Sequence, residues 1–556
     1  MDRRSFLTAF AAPPPAPKQP YRLADRTNTS LKEYAGSWTE NEISHLLKRT
    51  MFGSTKSDIA YFKNKTMQQA VDELLTPTAP LPNPPVKEYD SSSAAVPDGN
   101  IPPGTPWIND TNADGTVQSL RRASFKKWWM GVIINQDRSI REKMTLFLHN
   151  HFSTETNTIG NAQFIYKHHS MLRANAVGNF KSLTRQVTVD PAMLVFLNGQ
   201  YNVASAPDEN YGRELQELFC CGKGPDSLYT ESDVKAAAKV LTGWRNNATL
   251  LSSFFDSTKH DSTNKQFSAF YGNTVITGRT GATAGDLELD ALMNMIFATN
   301  EVAKYVCRRL YRWFVYYDID AAIENNVIQP LADLFRKNNY ELKPVLSALL
   351  KSEHFYDAFN QGCLIKSPVD LVAGCCRELN VQFPPSNDYV NNYGLWNGLF
   401  TFAANMQQNL GDPPDVSGWK AYYQAPQFHE IWINSDTLPK RNQFTDQLML
   451  SGYTFGGQKI QVDATTVAKS MSNPSDPNVL LDEILAVVFR ISLADPVKAQ
   501  IKKDILLGGQ VTDNYWTTAW IDYVSNPNNA ASATIVKTRL RDLLKYLMNL
   551  AEYQLS

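Results

Sequence analysis

The sequence predicts an all-α protein: a large multi-helix body with long irregular loops and one small polar excursion able to carry β-structure. Three observations lead there. Apolar residues recur at i, i+3, i+4 and i+7 through most of the chain, the spacing of helices that bury one face. Strand-like alternation is scarce, and Thr274-Val-Ile-Thr277 is its best short example. A hydrophobic content of 43% with 11% aromatics supplies a core for 556 residues and argues against extended disorder.

The elements follow in order. Residues 1–34 read as a degenerate twin-arginine-like signal and linker. Arg3-Arg4 precede Phe6-Leu7, but Pro13, Pro14, Pro15 and Pro17 cut the apolar stretch to about seven residues. On this reading the protein is exported and is periplasmic, cell-surface or secreted. Beyond that start, no run approaches the roughly 18 apolar residues of a transmembrane span. Residues 35–75 read as an N-terminal helical pair. Residues 76–115, studded with proline from Pro77 to Pro106, cannot carry a helix and form a long loop.

Residues 116–360 read as a helical core lobe. Phe125, Trp128, Trp129, Val132 and Ile133 make its first apolar stripe, with Arg121, Arg122, Lys126 and Lys127 on the other face. Leu289, Leu292, Met293, Ile296 and Phe297 make the next, followed by Val302, Val306, Leu310 and Phe314. The polar excursion occupies 245–285. Residues 361–556 read as a second helical lobe, striped by Leu481, Ile484, Leu485 and Val488 and by Val536, Leu540, Leu543, Leu544 and Leu547. It is interrupted at about 380–393 and by Gly411-Asp-Pro-Pro-Asp-Val-Ser-Gly-Trp419.

Composition excludes several function classes. Lys+Arg 54 against Asp+Glu 55 gives a net charge of -1, so there is no global field for coating nucleic acid. Any positive site is local, around Arg213 or Lys366. Adjacent pairs dominate the cysteines (Cys220-Cys221, Cys375-Cys376), a poor disulfide framework, and no C-x-x-C zinc motif occurs. No P-loop, dinucleotide fingerprint or Gly-x-Ser-x-Gly elbow is present, so no nucleotide cofactor is expected.

Three clusters can carry chemistry. His149-Asn-His151 offers two imidazoles, but residues i and i+2 of a helix point about 200° apart. The pair can share an ion only if the helix starting near Arg141 ends there; otherwise one ring faces core and the other solvent. Arg213-Glu-Leu-Gln-Glu217 puts Glu214 and Glu217 on one helix face, as two metal-binding carboxylates or as surface charge. Thr230 and Asp233 then form a capping box for the next helix. His260-Asp261, with Lys265 nearby, lies in the polar excursion.

One ordered series links these clusters: His45-Leu-Leu-Lys-Arg49-Thr-Met-Phe52-Gly53, the His149/His151 segment, Gly212–Phe219, Leu241-Thr-Gly-Trp244, His260-Asp261, Ile365-Lys-Ser-Pro368, Pro413–Trp419 and Trp432-Ile-Asn-Ser435. The series resembles the domain of unknown function 1800 family of bacterial exported proteins, over roughly residues 35–450. Leu148 and Ser262 depart from the expected pattern. The resemblance implies export, and as partner an exported sulfatase- or phosphatase-like protein encoded nearby. It implies no established activity, cofactor or nucleic-acid partner.

What the resemblance adds is grouping. His149, His151, His260, Asp261, Glu214 and Glu217, if they converged, would suit a divalent metal (zinc, manganese or iron) and could activate water. Glu214 would then be ligand or general base, and Arg213 or Lys366 would steady an anionic group. This yields two readings: a metal-assisted hydrolase acting on an envelope or extracellular polymer, or a non-catalytic cell-envelope or secretion-associated scaffold or binding protein.

Overall fold

A computed structural model describes residues 30–419, 430–526 and 528–556. The reading of Arg3–Ala12 as an export signal lies outside them. The chain is mostly helical, with three small two-stranded antiparallel sheets among the described residues.

Residues 35–75 form three short helices rather than a pair: α1 (Glu40–Thr50), α2 (Lys56–Phe62) and α3 (Met67–Leu74). Each begins at a threonine (Thr39, Thr55, Thr66) with a complete capping box, so each start is fixed locally. Gly53, at φ +80°, turns the chain between the first two. Its backbone lies against Gly374, so a side chain there would collide with the facing main chain.

The proline-rich stretch carries no helix, as expected, and leads into α4 (Gly115–Ile134), followed by α5 (Arg141–His151) and α6 (Ala162–Ala174). Then come α7 (Glu209–Glu214), which runs into a π-helical turn at Leu215–Cys220, and α8 (Glu231–Val240), capped by Thr230 and Asp233 as the spacing predicts. The polar excursion holds β1 (Trp244–Asn247) paired with β2 (Ser252–Phe255), and β3 (Lys265–Gln266) paired with β4 (Val275–Ile276), the last within the predicted Thr274–Thr277 segment. Helices α9 (Ala284–Phe297), α10 (Asn300–Phe314), α11 (Pro368–Glu378), α12 (Tyr389–Asn405), α13 (Thr437–Leu450), α14 (Pro477–Val488) and α15 (Ala530–Met548) complete the frame, with hairpin β5–β6 (Tyr453–Phe455, Gln458–Ile460) after α13.

Two apolar cores result, but they do not divide simply at residue 360. The first draws mainly on 43–75 and 140–364; the second takes 369–553 together with α4. Helix α4 crosses to the later lobe because Gly131 lets the Trp396 ring of α12 lie directly on its backbone. All six cysteines are free.

Arg121, which the sequence reading put on the face opposite the apolar stripe, does not face solvent. It is fully buried, with Nε and Nη2 bonded to Asp98 at 3.2 and 2.5 Å and a further ion pair to Asp110. Those carboxylates belong to the proline-rich loop, so the guanidinium pins the loop to α4. Removing one member of a buried pair strands the other charge. Arg121→Ala is expected to cost about 3–5 kcal/mol, read as a lower urea midpoint with early proteolysis between residues 86 and 110. A loss below about 1 kcal/mol, the range of exposed pairs, would show that the loop is held by something else.

Candidate functional site

Helix α5 continues through His151, so its last turn sends the two imidazoles to opposite sides. His149 packs between Trp129 (ring centroids 5.1 Å), Trp419 (6.0 Å) and His169 (6.4 Å). His151 sits among Phe152, Phe180 and Tyr305, and its Nε2 donates to the Phe219 carbonyl at 2.9 Å. Burial pushes His149 down to about 3 and His151 well below its usual value, so both are neutral at physiological pH.

Arg213 grips Glu231 bidentately at 2.6 and 2.7 Å on the surface between α7 and α8. Glu217 pairs with Lys223 at 2.8 Å. Glu214 has no ion pair among the described residues; burial, then the nearby Glu217 charge, lifts its carboxyl to about 7. His260 and Asp261 anchor the excursion. The His260 ring bridges the Thr242 carbonyl (2.9 Å) and Glu288 (3.1 Å), while Lys265 reaches Glu288 at 2.6 Å. Asp261 accepts from the Thr263 backbone N–H at 2.8 Å. The six predicted ligands thus occupy separate neighbourhoods, apart from the Glu214–Glu217 pair and the adjacent His260 and Asp261. Among the described residues no group of three or more His, Cys, Asp or Glu side chains is arranged to hold a metal ion.

A different set converges. A narrow cleft opens where the two cores meet. Lys48 and Arg49 come from α1, Lys143 and Asn150 from α5, and Trp313 from α10. Ser367 and Asp370 come from the start of α11, with Gln408, Trp419 and Trp432 from the following loops. Five of the stretches in the ordered series therefore meet here. Asn150, between the two histidines, is the hinge of the arrangement: its Oδ1 accepts from the Trp419 N–H at 2.8 Å. Gly418 (φ +93°) passes so close that a Cβ would overlap the same amide.

Lys366 lies behind the wall between cleft residues Ile365 and Ser367. Its Nζ stands 4.0 Å from the Tyr553 ring centroid, and burial, then the Lys48 charge, pushes the amine down to about 7. Sequence reasoning missed Lys48 and Arg49, because a basic last turn reads as ordinary helix capping, and Lys143, which lies in the first turn of α5. It also missed His168 and His169; the first pairs with Asp190 at 3.0 Å and the second stacks edge-on against Trp129.

Fold and cleft together define a mostly helical, two-core protein with a cation- and tryptophan-lined cleft at the junction. The chain belongs to the family described as Protein of unknown function (DUF1800), whose model matches residues 45–555. No curated protein and no solved structure matches it. No helix among the described residues is long and apolar enough to cross a membrane.

Two pH dependences follow. For Glu214 the folded value (about 7) exceeds the ordinary 4.5, so the unfolded chain loses its proton first as pH rises. Stability from this group is therefore present below about 4.5 and lost between there and 7. Glu214→Gln is expected to stabilise the protein by roughly 1–2 kcal/mol above pH 7, after discounting for solvent screening, and Glu217→Gln to lower the Glu214 midpoint in a carboxyl NMR titration. An unmoved midpoint would remove Glu217 as a cause. For His149, His151 and His169 the folded values lie below the ordinary 6.5, so the unfolded chain protonates first as pH falls. Unfolding midpoints are expected to drop as pH falls below 6.5; midpoints flat from pH 7 to 5 would contradict this.

Proposed function

We propose that the protein is an exported ligand-binding protein of the cell envelope and that the junction cleft is its binding site. The observation that carries this reading is the convergence of stretches near residues 48, 150, 367 and 419 on one concavity. Pockets that combine aromatic walls with a few fixed polar groups are the usual form of a ligand site. Trp313, Trp419 and Trp432 supply flat apolar faces suited to sugar rings. The cleft is narrow, so it suits a ring edge or substituent of a polymer rather than a whole chain.

The hydrolytic reading keeps one observation in its favour, the Glu214 carboxyl held near 7, where a general acid or base works best. Glu214 does not line the junction cleft, and its company is Glu217 rather than the histidines.

The two readings separate in one experiment. Neutral and acidic oligosaccharides from envelope polymers are titrated against the protein by tryptophan fluorescence, and the same samples are assayed for cleavage with and without added zinc, manganese or iron. The binding reading expects saturable quenching, weakened about tenfold or more in Trp419→Ala, and no product. Metal-dependent cleavage abolished by His149→Ala and Glu214→Ala, with metal content falling in both variants, would overturn it in favour of hydrolysis.

A further inference from the structure

We infer that the cleft recognises an oxyanion, a carboxylate or a sulfate or phosphate ester on the ligand, and that Arg49 is the residue that takes it. This deepens the binding reading above and rests on it.

Arg49 is 2% exposed yet has no carboxylate partner among the described residues. Its Nη2 donates to the Asn360 carbonyl at 2.9 Å and contacts Cys363 Sγ at 3.3 Å, while Nε and Nη1 make no hydrogen bond to any described residue. A buried guanidinium cannot shed its proton and is costly to leave unpaired, which marks it as a site waiting for an acceptor. The other cations of the cleft are already matched. Lys48 holds Glu378 at 2.6 Å and the Val487 carbonyl at 2.8 Å, and Lys143 holds Asp370. Of these three cations it is Arg49 that has no carboxylate partner among the described residues.

The neutral groups point the same way. Asn150 Oδ1 is taken by the Trp419 N–H, and Gln408 Oε1 by the Val369 N–H at 2.8 Å. Both amides therefore spend their acceptor ends inside the protein. Among the described residues neither NH2 group has a hydrogen-bond partner, so donors are what remain to serve a ligand. Asp370, the one carboxylate side chain lining the cleft among the described residues, is occupied by Lys143 and by Ser367 Oγ at 2.9 Å. Behind the wall the positive excess continues. Among the described residues the Arg441 guanidinium bonds to Gln554 and the Lys366 carbonyl, with Nη1 free of any described partner, and Lys366 rests on the Tyr553 ring. Planar, two-donor presentation is what a guanidinium offers to carboxylate, sulfate or phosphate.

Sodium sulfate, phosphate and acetate, each against sodium chloride at matched ionic strength, are titrated into the full-length protein by calorimetry and thermal unfolding. We expect saturable binding of at least one oxyanion, and the preferred salt identifies the source as ester or carboxylate. Arg49→Met is expected to weaken it about tenfold or more, and Arg49→Lys less. Gln408→Glu tests the same point if Arg49→Met fails to fold. It keeps the acceptor for the Val369 N–H, sets a carboxylate in the cleft, and is expected to raise the thermal midpoint without added salt and abolish oxyanion binding. Equal responses to chloride and oxyanions, or unchanged affinity in Arg49→Met or Gln408→Glu, would overturn the inference. Trp419-dependent binding of neutral oligosaccharides without oxyanion binding would defeat this inference alone. Arg49-dependent oxyanion binding without any oligosaccharide binding would instead defeat the polymer reading.

Discussion

The buried ion pair between Lys48 and Glu378 is the contact on which the junction depends. Its atoms lie 2.6 Å apart with both side chains almost wholly out of water. A pair so buried is weak evidence of net stabilisation, because desolvating two ions offsets most of their attraction. What it supplies is position: it fixes the first helix, rooted in one core, against α11, rooted in the other. Lys48 also caps the end of α14 through the Val487 carbonyl. With α1 set in this way, Arg49 one residue later has little choice of direction, and its guanidinium is carried into the cleft wall.

The same packing leaves one cation of the junction, Arg49, without a carboxylate partner among the described residues. A protein of net charge -1 has no surplus positive charge to place at random. The unpartnered donors of Arg49, Asn150 and Gln408 sit in one concavity, while the salt bridges elsewhere, such as Arg121 with Asp98 or Lys265 with Glu288, are matched. The lowered Lys366 amine follows first from burial and then from the neighbouring Lys48 charge, both of which disfavour its charged form.

Much of the fold was legible in the sequence because helical periodicity is a local signal. The stripes at Leu289–Phe297 and Val536–Leu547, the Thr230 capping box and the short strand at Val275–Ile276 need only their own neighbours to be read. The partition of α4 was not legible, because it depends on Gly131 meeting Trp396 across more than 260 residues. The site was less legible still. Histidine near carboxylate is the usual sign of chemistry, yet His45, His149, His151, His168, His169, His260 and His354 are all buried, and most of them pack against aromatic rings. Lys48 and Arg49 look in sequence like ordinary cations at a helix end. Only the fold reveals that this helix end is interior, and that Asn150 between the two histidines matters more to the cleft than either imidazole.

The most direct test of the account is a crystal of the protein grown or soaked in selenate, whose selenium can be located by its anomalous scattering. The account predicts a peak in the junction cleft with selenate oxygens within about 3 Å of Arg49 Nε and Nη1 and the Asn150 or Gln408 amide beside them. Selenate bound only elsewhere, with both Arg49 donors bonded to protein carbonyls, would contradict it.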